Sequence, residues 1–134
     1  MIDIENIRGS FNSDILKGDA IGNRLRGMDG DDLLDGRGGA DDLQGGDDDD
    51  ILIGGAGDDD LNGGFGIDEA DYSAAAGAVT VDLQDDPDGI GFFTGRAAVD
   101  GDGGVDRLVS IEWLRGGAGG DTLAGNSAQH RLPG

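Results

Sequence analysis

The sequence predicts an all-β fold assembled from short repeats, and three observations carry the prediction. From Gly9 to Asp71 the chain divides without a gap into seven units of nine residues. Glycine opens every unit, at 9, 18, 27, 36, 45, 54 and 63, and a carboxylate or its amide holds every sixth place. The eighth place is leucine at 16, 25, 34, 43, 52 and 61, ending with Ala70. Self-similarity at a short fixed period is the mark of stacked repeats. It outweighs the composition, whose 29 glycines, six aromatics and net charge of −20 would alone read as disorder.

The elements follow in order. Residues 1–8 lead into the first coil. The units then run "GSFNSDILK", "GDAIGNRLR", "GMDGDDLLD", "GRGGADDLQ", "GGDDDDILI", "GGAGDDDLN" and "GGFGIDEAD". The fourth place is glycine at 30, 39, 57 and 66, and Asn12, Ile21 and Asp48 elsewhere. In "GGAGDDDLN" three carboxylates, Asp58, Asp59 and Asp60, follow a glycine turn, and nothing within the unit offsets their charge. Glycine permits positive φ, which can turn backbone carbonyls toward an ion. Carboxylates stacked at strand spacing, about 4.8 Å, repel one another unless a cation intervenes. After Asp71 the period stops. "YSAAAGAVTVDL" (72–83) ends in an alternating strand with Val79, Val81 and Leu83 on one face. "QDDPDGIG" (84–91) reads as a turn-rich loop and "FFTGRAAV" (92–99) as a returning strand. Residues 72–100 are therefore expected to form a small β cap or connector, with Phe92, Phe93 and Trp113 as packing residues.

Units such as "GGAGDDDLN" resemble the Gly-Gly-x-Gly-x-Asp-x-apolar-x nonapeptide of RTX proteins, the hemolysin-type calcium-binding repeats. The resemblance covers 9–71 and resumes at "GDGGVDRLV" (101–109), "GGAGGDTLA" (116–124) and, more weakly, "GNSAQHRLP" (125–133). It implies a right-handed parallel β-roll. In such a roll six residues turn, three form a strand, and two units complete a coil. Calcium is then expected between turns stacked on one side. The sixth-position side chains implied as ligands are Asp14, Asp32, Asp50 and Asp68 in the odd stack and Asn23, Asp41 and Asp59 in the even one. Asp106 and Asp121 are implied from the later units. The implied turn ligands are Gly27, Asp29, Asp31, Gly36, Gly38, Gly45, Asp47, Asp49, Gly54, Ala56 and Asp58, through their carbonyls. About five ions are expected in the main roll, the one beside the neutral Asn23 being weaker. The side chains of Asp47, Asp49, Asp58 and Asp60 are expected to be solvated charge. His130 and Pro133 depart from the pattern, so the ligand set stops before the last unit.

Only thin leucine columns are available as a core, so ion binding is expected to be part of the folding free energy. Strand alternation points the seventh and ninth positions outward. On the odd side these include Ile15, Leu33, Ile51 and Ile53, an apolar patch expected to be covered by the chain after Asp71 or by a second copy. A longer period also appears: "IENIRG" (4–9) returns as "IEWLRG" (111–116), an offset of 111 − 4 = 107 residues. The segment 101–134 thus reads as a partial second set of repeats.

Charge and motifs narrow the function. With 29 acids against 9 bases, neither nucleic acid nor an anionic membrane is an expected partner. No apolar run of 18 residues suggests a membrane span, and "MIDIENIRGS" lacks the pattern of a secretory signal peptide. There is no cysteine and one histidine, His130. No HExxH, GxSxG, EF-hand or phosphate-loop motif occurs, so no catalysis is expected. The expected function is a calcium-binding module of a secreted or cell-surface protein. The resemblance implies type I export as an unfolded chain and folding on meeting calcium outside. Alternatives are an accessory C-terminal module of a secreted protease, lipase or alginate epimerase, a spacer in a large adhesin, or a binder of extracellular polysaccharide. Self-association and neighbouring repeat units are further expected partners.

Overall fold

The computed structural model describes residues 6–73, 80–82, 94–99, 106–111, 113–116 and 122–124. Among them every regular element is a strand. In chain order these are β1 (Asn6–Arg8), β2 (Ile15–Lys17), β3 (Arg24–Met28), β4 (Leu33–Asp35), β5 (Asp42–Gly46), β6 (Ile51–Ile53) and β7 (Asp60–Gly64). They are followed by β8 (Glu69–Asp71), β9 (Thr80–Asp82), β10 (Thr94–Val99), β11 (Asp106–Val109), β12 (Trp113–Arg115) and β13 (Thr122–Ala124).

Alternate strands fall into two sheets, as the resemblance implied. One sheet runs β12-β8-β6-β4-β2 and the other β1-β3-β5-β7-β11-β10-β9-β13. All neighbours within the roll are parallel, and the registers step by two units: Leu16 opposite Leu34 opposite Leu52, and Leu25 opposite Leu43 opposite Leu61. Two nonapeptides therefore make one coil of a β-solenoid. The eighth-position residue sits in the middle of its strand, with its two neighbours pointing out. Leu25, Leu34, Leu43, Leu52, Leu61 and Ala70 are consequently buried between the sheets, joined by Leu108, Ile111 and Leu114 from the later segment. Each buried leucine contributes roughly 1.5–3 kcal/mol, but there is one per nine residues.

The turns explain the glycines. Positive φ occurs at the second position of five successive units (Met28, Arg37, Gly46, Gly55, Gly64) and at the fourth (Gly30, Gly39, Asp48, Gly57, Gly66). These are the left-handed conformations that glycine adopts without cost. The second-position column is obscured in the sequence because Met28 and Arg37 occupy it under strain.

After Asp71 the roll resumes at β11, within the unit "GDGGVDRLV", and then at β12, outside the nine-residue period. β11 stacks on β7, with Leu108 opposite Leu61, and β12 stacks on β8, with Leu114 opposite Ala70. The next odd rung is thus supplied by "IEWLRG", not by "GGAGGDTLA". β9 and β10 pair antiparallel, and β10 also pairs antiparallel with β11, extending that sheet beyond the last coil. β13 joins β9 in parallel. Val79, Leu83, Phe92, Phe93, His130 and Pro133 lie outside the described residues.

The apolar patch is built as a flat stripe in which Ile15, Leu33 and Ile51 lie in register. Ile15 is 71% exposed, whereas Leu33, Ile51 and Ile53 are half-buried. The chain after Asp71 lengthens this sheet through β12; no described segment forms a layer over the stripe. Glu69 holds a seventh position, which strand alternation points outward, yet it is buried, because Arg115 of β12 folds over it with Nε donating to Oε1 at 2.6 Å.

Candidate metal centre

The sixth position precedes each strand, so stacking brings its side chains into two columns inside the loops. Asn23, Asp32, Asp41, Asp50, Asp59 and Asp68 are all buried. One oxygen of each column aspartate is used by the fold. Asp14 N donates to Asp32 Oδ1 at 2.7 Å, Asp32 N to Asp50 Oδ1 at 2.8 Å, and Asp50 N to Asp68 Oδ1 at 2.9 Å. The even column repeats this, Asn23 N to Asp41 Oδ1 at 2.7 Å and Asp41 N to Asp59 Oδ1 at 2.9 Å. Each carboxylate thus clamps the coil before it.

The second oxygen has no such role at the central rungs. Oδ2 of Asp32, Asp41 and Asp50 is buried and accepts no hydrogen bond. It points at the Cα of the first-position glycine of its own unit, beside a first-position carbonyl of the next coil. A Cβ at Gly27 would stand 2.6 Å from the Gly45 carbonyl oxygen and closer still to Asp32 Oδ2. At Gly45 the same Cβ would stand 2.7 Å from the Gly63 carbonyl oxygen, and again nearer Asp50 Oδ2. Gly36 repeats the arrangement with Asp41 Oδ2 and the Gly54 carbonyl. First-position glycine is therefore demanded by space, and what it makes room for is an unbonded carboxylate oxygen beside a backbone carbonyl.

Such an oxygen is costly to leave charged. Burial, partly opposed by the backbone N–H of Asp32, pushes the Asp50 carboxyl up to about 7, and the neighbouring charges of Asp32, Asp31 and Asp48 add to the rise. Burial likewise raises Asp41 to about 6, against the N–H of Asn23 and with help from Asp19 and Asp35. Asp32 is raised for the same leading reason. An orphaned, buried anionic oxygen beside a carbonyl fits a hard divalent cation, which takes six to eight oxygens. Among the described residues no three His, Cys, Asp or Glu side chains converge on one point. The donor set offered is thus one carboxylate per rung, supplemented by backbone.

The implied ligands sort by position. Gly27, Gly36, Gly45 and Gly54 are buried beside the columns, whereas Asp29, Asp31, Asp47, Asp49, Ala56 and Asp58 are exposed and Gly38 is intermediate. Second-position carbonyls are taken by the next coil: Met28 O accepts from Asp47 N, Arg37 O from Ala56 N and Gly46 O from Phe65 N, each at 2.8 Å. Asp49 is not merely solvated charge, because its Oδ1 accepts Ile67 N at 2.8 Å; Asp31 Oδ1 accepts Asp49 N at 3.0 Å. Asp47, Asp58 and Asp60 are exposed. At the N-terminal end, Asp14 is engaged by its own turn, Oδ2 accepting Ser10 N at 2.6 Å, and Asn23 Oδ1 accepts Asp19 N at 2.9 Å. Asp106 opens β11, whose register continues the even column past Asp59. Asp121 lies outside the described residues, and the strand that follows it pairs with β9 instead of entering the roll.

One contributor was invisible to the period. The Ser110 carbonyl faces Gly63 where Gly27, Gly45 and Gly63 face the first-position glycines of lower coils, and Ser110 has a positive φ of 53°. It stands three residues before its strand instead of six, so no nine-residue search finds it.

A family model described as RTX calcium-binding nonapeptide repeat (4 copies) matches residues 8–43, 18–52, 35–70 and 109–128. No curated protein and no solved structure matches the chain.

Proposed function

The chain belongs to the RTX calcium-binding nonapeptide repeat family, and from that premise we propose that its carboxylate–carbonyl cradles bind calcium as the roll folds outside the cell. A calcium-binding β-roll is what the family and the fold share. The observation that supports the finer reading is the buried, unbonded Oδ2 of Asp32, Asp41 and Asp50 facing a carbonyl of the next coil. Calcium would supply positive charge and oxygen coordination there. Asp14, Asp32, Asp50 and Asp68 would serve the odd stack, and Asn23, Asp41 and Asp59 the even stack, giving about five ions between stacked neighbours in the roll. Where calcium is scarce, the stacked carboxylates repel and a core of one leucine per unit does not hold the coils. Where it is plentiful, as outside a cell, the roll closes. This suits export as an unfolded chain.

The role is that of a folding and binding module, not of a catalyst. The 107-residue return of "IENIRG" supports a spacer built of many units over an accessory module of an enzyme. The test is far-ultraviolet circular dichroism during a calcium titration, with magnesium as control. A cooperative gain of β signal with calcium alone is expected. A full β spectrum in excess chelator, unchanged by calcium, would overturn the reading.

A further inference from the structure

The two ends of the roll differ. Beyond the last coil, β11 carries the β10–β9 pair. At the other end β1 and β2 are the terminal strands of their sheets, each hydrogen-bonded along one side. The first coil exposes apolar surface at Phe11 (73%) and Ile21 (53%) in addition to Ile15, as the last unit does at Phe65 and Ile67. Among the described residues nothing covers it. An open strand edge is a template for another strand, and terminal coils of solenoids need a cap or a neighbour.

The chain itself shows what such an edge accepts. "IEWLRG" is the return of "IENIRG", and its strand β12 stacks in parallel on β8, Trp113 opposite Glu69 and Arg115 opposite Asp71. An ion pair adds to this ladder. Glu69 interrupts the apolar column of Ile15, Leu33 and Ile51, and Arg115 closes over it at 2.6 Å. The 107-residue offset makes Arg8 the counterpart of Arg115, and Ile7 of Leu114. β1 is paired with β3 on one side only, and its open side is the side by which β12 holds β8. The first coil is also where the bases gather, Arg8, Lys17, Arg24 and Arg26 being four of the nine in the chain.

We propose that the open edge of β1 is a docking surface for the last coil of a preceding copy of this unit, with β1 taking on that copy's β8 the place that β12 takes here and Arg8 pairing with its Glu69. Successive units are then joined strand to strand, β8 of one holding β1 of the next, while β11 of the first keeps its β10–β9 pair. The inference does not depend on which ion fills the loops.

The test compares the full chain with a two-copy chain in which residues 1–110 are followed by residues 4–134, so that "IENIRG" forms the joint. Both are melted in saturating calcium. The two-copy chain is expected to unfold in one transition above the Tm of the full chain. Arg8→Glu at the joint should lower that Tm by about 2–4 °C. The same change in the single chain should leave its Tm unchanged or raise it, because Arg8 lies opposite Arg26 there. Glu69→Arg in the first copy, combined with Arg8→Glu at the joint, should restore the loss. A two-copy chain that melts at the Tm of the single chain would overturn the proposal. So would an Arg8→Glu effect equal in both chains.

Discussion

Asp50→Asn separates the cost of the carboxylate column from its use. The substitution keeps the shape of the side chain and removes one charge from the middle of the odd stack. Oδ1 continues to accept Asp32 N, now at 2.8 Å. The amide nitrogen takes the place of Oδ2 and puts a donor where two acceptors face each other. The Asp50 carboxyl is pushed from 3.8 to about 7. At about 1.4 kcal/mol per unit that is roughly 4 kcal/mol, which screening by water above the loops reduces to about 2. In chelator at pH 8 the variant should therefore hold more β structure than the parent, by an equilibrium shift of about 2 kcal/mol. In saturating calcium the order should invert, because the rungs shared with Asp32 and with Asp68 each lose a carboxylate. Circular dichroism melts in both conditions, with calorimetric counting of bound calcium, read both effects. A variant less structured than the parent in chelator would refute the desolvated-charge account. Equal calcium stabilisation of the two proteins would refute the ligand assignment.

Other outcomes follow from the same geometry. The raised carboxyls make the chelated protein pH-dependent: their contribution is fully present below the unfolded value of 3.8 and is lost as pH rises through about 6 for Asp41 and about 7 for Asp50. The β signal in chelator should fall over that window, and calcium added near pH 6.5 should release protons measurable by pH-stat. Gly45→Ala drives a methyl between Asp50 Oδ2 and the Gly63 carbonyl; neither can retreat, so calcium-bound stability should drop by about 1–3 kcal/mol, read as a lower Tm. Met28→Gly relieves a φ of 86°; the left-handed cost of about 1–2 kcal/mol, less the entropy of a new glycine, leaves a gain of about 0.5–1 kcal/mol in denaturant melts.

The first, sixth and eighth columns could be read from the sequence because each does one chemical task at every rung: room, charge and core. Their recurrence every nine residues gave the repeat, and the resemblance it carries implied the coil and the cradle. The second column escaped because Met28 and Arg37 bear a conformation that only their stacked neighbours impose. Asp49 escaped because a carboxylate that caps a backbone N–H 18 residues away has the same letter as a solvated one. The unit "GDGGVDRLV" marked β11 as a returning repeat, but its stacking on β7 and that of β12 on β8 depend on long-range pairing across residues 72–105, which no local pattern carries. The burial of Glu69 follows from Arg115, 46 residues further on.

The returning strand does not sit where its counterpart sits. β1 belongs to the longer sheet and β12 to the shorter. Between them the chain lays down β1 to β8 and β11, nine rungs, an odd number. Parity therefore reverses at each joint, and every unit of an array so joined is turned by half a coil relative to the one before. The Ile15–Leu33–Ile51 stripe would face left in one unit and right in the next. A partner lying along one flank would meet it in every second unit only, and rods meeting through their stripes would interlock as a brickwork sheet, each bound on both flanks.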